Sequence, residues 1–201
     1  MKHIAVFISG GGTNLQALMD ACDTRQIDAA ITLVVSSRAD AYGLVRAGRA
    51  HIPTLTVPLR HWKQRGLDRA QYDRDLANLI QPWRVDLVVL AGWMLVLGPH
   101  FLEGVGAQVI NLHPALPGMF PGTHAIQRAW DSFQRGEIQH TGVMVHEVIP
   151  EVDAGPVLGS RQVPILAADT LETLETRIHQ AEHDLLVQTV ASLTHQPEVL
   201  E

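Results

Sequence analysis

The apolar run Val109-Ile-Asn-Leu-His-Pro114 ends in an amide and an imidazole separated by one residue. On an extended backbone such residues share a face, so Asn111 and His113 point to one side. An amide donor and an imidazole aimed at one point suit an oxygen that gains negative charge during a reaction. Asp153, in Asp153-Ala-Gly-Pro156, can orient and charge that imidazole. The bland alternative is a structural turn, in which Asn111 satisfies backbone groups and His113 lies at the surface. The two together, followed by a loop rich in Pro and Gly over 114–123, favour catalysis. His124 reads either as a site residue or as the start of a helix, and His146 as a strand residue beside the site.

A second candidate joins the first strand to the first helix: Ser9-Gly-Gly-Gly-Thr-Asn14. Glycines let a backbone approach a ligand closely, and a helix N-terminus offers free amides and a positive dipole end. That combination suits a phosphate. Its alternative is a plain tight turn with Thr13 or Asn14 capping the helix. The turn lacks the Lys-Ser/Thr ending of a Walker loop. It is also a poor dinucleotide fingerprint, since Leu15 stands where the third glycine belongs. Arg38, just past the second strand, is a candidate for a 2′-phosphate.

These residues need a frame. Short apolar runs at Ile4–Ile8, Ile31–Ser36, Thr54–Val57, Asp86–Leu90 and Gln108–Asn111 read as strands. Helical patterns over Thr13–Asp23, Ala41–Ala50 and Asp68–Ile80 lie between them. This order predicts an α/β fold: a doubly wound, mostly parallel sheet, Rossmann-like, with helices on both faces. Thr141–Val148 and Val157–Pro164 read as two later strands flanking the Asp153 loop, an antiparallel element in the C-terminal half. A helix runs through Ile126 to Phe133. A longer one follows a capping-box-like start at Asp169 and Glu172, and a polar, frayed tail follows from His195. In such sheets ligands bind beyond the carboxyl ends of the strands, where the glycine turn, Ala91-Gly92-Trp93 and Asn111/His113 all fall.

The chain has 201 residues, and the expectation is a single domain, 1–201. Hydrophobic residues are 46% and charged residues 18%, enough to build a core rather than remain disordered. A net charge of −6 argues against broad binding to nucleic acid or an anionic membrane. No apolar run approaches the roughly 20 residues of a membrane span. With Cys22 as the single cysteine, no disulfide can form within the chain. A soluble cytoplasmic protein, monomer or homodimer, acting on small molecules is expected. Cys22 itself falls on a helical apolar face and reads as core. His179-Gln-Ala-Glu182-His183 fits a His-x-x-Glu-His zinc pattern. With 11 His in the chain and no third ligand in view, no metal is expected.

In order along its length, the chain resembles the phosphoribosylglycinamide formyltransferases, folate-dependent enzymes of purine synthesis. The resemblance runs from Ile8-Ser-Gly-Gly-Gly-Thr-Asn-Leu-Gln16 through Leu90-Ala-Gly-Trp-Met94 and Ile110-Asn-Leu-His-Pro114. It continues through Phe120-Pro-Gly-Thr-His124, Val145-His-Glu-Val148, Val152-Asp-Ala-Gly-Pro156 and Gln180-Ala-Glu-His183. It implies 10-formyltetrahydrofolate and 5′-phosphoribosylglycinamide as substrates, with formyl transfer through a tetrahedral intermediate. Asn111 would donate to the oxyanion and His113 would relay protons. Asp153 would hold His113 cationic and position a water. Gly11, Gly12, Thr13 and Asn14 would bind the phosphate, and Glu182 the ribose or glycinamide end. Met94, Leu95, Val96 and Leu97, with the region from Val145 through His146 to Asp153, would enclose the pterin. Residues 1–110 would form the phosphate-binding half and 111–201 the catalytic and folate half.

Leu95 departs from the resemblance, because many members carry Arg there to assist the folate glutamate tail. His179 stands where a Gln often lies near the phosphate. Rival readings are a methionyl-tRNA formyltransferase or a formyltetrahydrofolate deformylase using the same trio. More distant ones are an NADP-binding oxidoreductase resting on Gly10, Gly12 and Arg38, and a noncatalytic ligand-binding protein.

Overall fold

The computed structural model describes residues 1–195. The polar tail expected after the last helix lies, from residue 196 on, outside them. Seven strands form one sheet in the order β3-β2-β1-β4-β5-β6-β7. They are β1 (Lys2–Ile8), β2 (Ala29–Ser36), β3 (Thr54–Thr56), β4 (Leu87–Leu90), β5 (Gln108–His113), β6 (His140–Glu147) and β7 (Val157–Pro164). The pairs from β3 to β5 are parallel; β5–β6 and β6–β7 are antiparallel. The mostly parallel, doubly wound sheet with an antiparallel C-terminal element is therefore present as read.

The strand sequences show why. In β1, Ile4, Val6 and Ile8 enter one apolar cluster, and Ala5 and Phe7 enter the cluster on the opposite face. A strand buried on both faces must be apolar throughout, and its period of two divides it between the layers. The first cluster is closed by α1 (Thr13–Asp23), α2 (Tyr42–Arg49) and α7 (Leu171–Thr194). The second is closed mainly by α4 (Arg69–Ile80) and α5 (Pro99–Gly104). There Phe7 packs against Trp93 and Phe101, with ring centroids 4.9 and 5.8 Å apart. α3 (Leu59–Gln64) and α6 (Ala125–Gln134) complete the helices.

Two details differ from the sequence reading. α3 and α5, at six residues each, fall below the length at which hydrophobic periodicity declares itself. The start of α7 shifts by one position: Thr170 is the cap and forms the box with Thr173. Asp169 is instead paired with Arg177, at 2.7 Å to each carboxylate oxygen, and accepts from the Leu166 amide and the Thr173 hydroxyl.

The chain reverses its winding between β1 and β4, which are neighbours although β2 and β3 intervene in sequence. At such a switch point the loops diverge and leave a crevice. The glycine turn after β1, the 91–97 segment after β4 and the end of β5 all border it.

Candidate active site

β5 carries Asn111 and His113 on one face, and the antiparallel register sets His146 of β6 directly opposite Asn111. The loop from β6 to β7 then returns Asp153 over both. It is a tight return: a Cβ at Gly155 would run into the Glu147 carbonyl. Asp153 itself is held at φ 54°, in the left-handed region. Non-glycine residues adopt that region at a cost, which the surrounding contacts must offset.

Four groups meet at the Asp153 carboxylate. Asn111 Nδ2 donates to Oδ1 at 3.2 Å, and the Gly122 amide donates to Oδ2 at 2.8 Å. His113 Nδ1 lies 3.4 Å from Oδ2, and His146 Nε2 lies 3.4 Å from Oδ1. The trio read from sequence is thus brought together, and His146 makes it a quartet. His113 is 4% exposed and His146 2%.

Backbone carbonyls decide where the ring protons sit, since they can only accept. His113 Nε2 donates to the Phe120 carbonyl at 3.1 Å, and His146 Nδ1 donates to the Glu147 carbonyl at 2.8 Å. In each neutral ring the other nitrogen therefore presents a lone pair. That of His146 accepts from Asn111 Nδ2 at 3.2 Å. That of His113 faces the carboxylate, so a proton arriving at Nδ1 gains a charge-assisted bond at once.

The charge state differs from the sequence expectation of a cationic His113. Burial pushes its imidazole below the ordinary value, and Asp153 and the Phe120 carbonyl oppose this without overcoming it. Burial also works to raise the Asp153 carboxyl. There the Gly122 amide's hydrogen bond and the two nearby imidazoles prevail and hold it low. At neutral pH the site pairs an ionised Asp153 with a neutral His113. The amide of Asn111 differs too: both its N–H groups are engaged, with Asp153 and with His146.

The other predicted residues sort clearly. The glycine turn is not a capped turn. Gly12, at φ 71°, is itself the cap of α1, and no side chain bonds the first-turn amides. Gly12 packs so closely on α2 that a Cβ would stand 2.7 Å from the Gly43 Cα. The open N-terminus, with Gly11, Thr13 and Asn14 around it, faces no acidic side chain in the first turn. α7 packs against α1, and Glu182, 6% exposed, accepts from His179 Nδ1 at 2.7 Å. That contact raises the His179 imidazole above its ordinary value. Among the described residues no three His, Cys, Asp or Glu side chains cluster as metal ligands.

On the pterin strip, Met94 and Val96 are 66% and 58% exposed, and Leu95 is half-buried. Leu97 is buried in the second core cluster, so its side chain is not available to a pterin and only its backbone is. His146 likewise belongs to the polar quartet rather than to an exposed pocket wall.

Sequence reasoning missed three groups. Gly122 and Phe120 act through backbone atoms, which no side-chain pattern reveals. Arg46 donates from α2 to the Gly11 carbonyl at 2.9 Å and to Gln16 at 3.1 Å, bracing the glycine turn. Its only signal was a basic residue on the helix facing that turn.

Residues 2–190 match the family described as formyl transferase. The chain belongs to the formyl transferase family. It is 45% identical to a phosphoribosylglycinamide formyltransferase of Dictyostelium discoideum, over 96% of this chain and 98% of that protein. It is 39% identical to the one of Escherichia coli, over 90% and 82%. The crystal structure of phosphoribosylglycinamide formyltransferase from Bacillus halodurans superposes with a TM-score of 0.90 at 32% identity, covering 99% of this chain and 98% of that one. No helix among the described residues is long and apolar enough to cross a membrane. Against a dinucleotide, Arg38 is already held by Asp40 through two bonds, of 3.0 and 2.7 Å.

Proposed function

We propose that the protein transfers the formyl group of 10-formyltetrahydrofolate to the amine of 5′-phosphoribosylglycinamide, with Asn111, His113 and Asp153 as its catalytic residues. The observation that carries this is the convergence of an amide, a neutral imidazole and an ionised carboxylate at the end of β5, in a chain of this family. The reading makes it a cytoplasmic enzyme of small molecules, with the phosphate cradle in its first half and the one-carbon chemistry in its second.

The substrate amine attacks the formyl carbon, and the carbonyl oxygen becomes an oxyanion. His113 takes the amine proton at Nδ1 and becomes an imidazolium beside Asp153, where the carboxylate stabilises it. Asn111 turns one N–H from His146 or Asp153 to the oxyanion; each such donor lowers the barrier by about 3–4 kcal/mol. The intermediate collapses with cleavage of the bond to the folate N10, which receives the proton from His113. The formyl donor itself carries the group, so no serine or cysteine nucleophile is required. Thr13, Asn14 and the backbone of Gly11 and Gly12 hold the substrate phosphate, with Glu182 on the ribose or glycinamide. Met94, Leu95 and Val96 cover the pterin. His146 positions the Asn111 amide.

The test is to mix purified protein with both substrates and follow the absorbance of the deformylated folate. Product should appear only when the amine is present. Release without amine assigns a hydrolase, and no release with both present defeats the proposal.

A further inference from the structure

The segment from Phe120 to His124 is exposed along most of its length, yet two of its backbone groups reach the buried quartet. The Phe120 carbonyl accepts from His113 Nε2 at 3.1 Å, and the Gly122 amide donates to Asp153 at 2.8 Å. The backbone between them is not relaxed. Phe120 and His124 stand at φ 47° and 57°, in the left-handed region, with Gly122 at 82° between them. Non-glycine residues keep such angles only where surrounding contacts hold them. Among the described residues, three side chains bond this backbone: His113, Asp153 and Arg128. The first two are the groups that the segment positions, so the hold from outside falls to Arg128.

Arg128 is exposed and lies near the N-terminal end of α6. Its Nη1 donates to the Pro121 carbonyl at 2.6 Å, and its guanidinium lies over the Phe120 ring, 5.7 Å from the centroid. It thereby grips both residues that precede Gly122. Nothing else accounts for a cation at this place. A positive charge at a helix N-terminus opposes the dipole, and α6 has no acidic residue in its first turn to attract one. Arg128 also takes part in none of the ion pairs among the described residues.

We propose that Arg128 is a positioning residue for the quartet: by fastening Phe120 and Pro121, it keeps the His113 proton on Nε2 and the Asp153 carboxylate in front of Nδ1. Once that hold is lost the Phe120 carbonyl withdraws. The neutral ring then prefers its proton on Nδ1, where it donates to Asp153. In that form Nδ1 has no lone pair and cannot take the amine proton. Only the consequence for turnover rests on the formyl-transfer reading above; the consequence for the ring does not.

The experiment records long-range proton–nitrogen correlation spectra of the intact protein carrying isotope-labelled histidine, at about pH 8, where an ordinary imidazole is neutral. The His113 signals are identified by their loss in His113→Asn. The wild type should show His113 with its proton on Nε2. Arg128→Ala should shift the ring toward the Nδ1–H form and lower kcat about tenfold, the scale of a small misplacement, with KM for both substrates unchanged. Arg128→Lys should keep the wild-type ring form and most of kcat, because an ammonium still bonds the carbonyl and faces the ring. Loss of charge alone would change how readily the ring protonates, not which nitrogen carries the proton of its neutral form. An Arg128→Ala protein, folded by circular dichroism, that keeps either the wild-type ring form or the wild-type kcat overturns the proposal. So does one in which KM rises and kcat does not, which would make Arg128 a substrate contact. If the wild type transfers no formyl group, the functional reading falls, while the ring spectra still decide the role of Arg128.

Discussion

At the scale of residues, the central feature is a carboxylate that faces two imidazoles through nitrogens bearing lone pairs. Such a site is poised to accept one proton, and its working form has His113 neutral. We expect kcat to fall on the acid side as His113 protonates, with the limb below the ordinary imidazole value of 6.5, because burial depresses it. A pH–rate profile checks this; a limb above that value contradicts it. The same depressions act on stability. Between the lowered and the ordinary imidazole value the unfolded chain binds more protons, so stability falls as pH falls through that window. Asp153, also lowered, stabilises above its ordinary 3.8 and loses that contribution below it. His146→Ala should strand the Asn111 amide and the Glu147 carbonyl, costing about 1–3 kcal/mol in denaturant unfolding. It should lower kcat more than it raises the folate KM; the reverse pattern would return His146 to the pterin wall. Asn111 and His113 were legible because an i, i+2 pair on a strand needs no tertiary information. The charge of His113 was not, since burial sets it.

At the scale of elements, the glycine turn joins β1 to α1 and rests on α2. Gly12 is the position that admits no side chain, for its φ of 71° and for the approach of Gly43. Gly12→Ala should destabilise the protein by about 1–3 kcal/mol and raise the KM for the phosphorylated substrate. Thermal melts and steady-state kinetics check both; an unperturbed KM would move the phosphate elsewhere. The strand and long-helix pattern could be read because buried parallel strands and amphipathic helices carry strong periodicities. His146 could be read as a strand residue beside the site, but not its pairing with Asn111 and Asp153, because that is set by the β5–β6 register, which the sequence leaves open. Leu97 was misjudged for a related reason: an apolar run does not say which of its members turns inward.

At the scale of the whole molecule, one sheet positions everything, and its reversal between β1 and β4 opens the crevice where cradle, pterin strip and quartet meet. The core beneath that crevice is stability more than chemistry. Phe7→Ala should cost about 3–5 kcal/mol in unfolding experiments, since Trp93 and Phe101 cannot close the gap. The reading as a whole depends on the carboxylate that gathers the quartet. The most direct measurement is kcat for formyl transfer by Asp153→Asn, with circular dichroism showing the fold unchanged. Asparagine keeps the shape and removes the charge that stabilises the His113 imidazolium, so kcat should fall by about 100-fold or more. A folded Asp153→Asn protein that transfers formyl at close to the wild-type rate would contradict it.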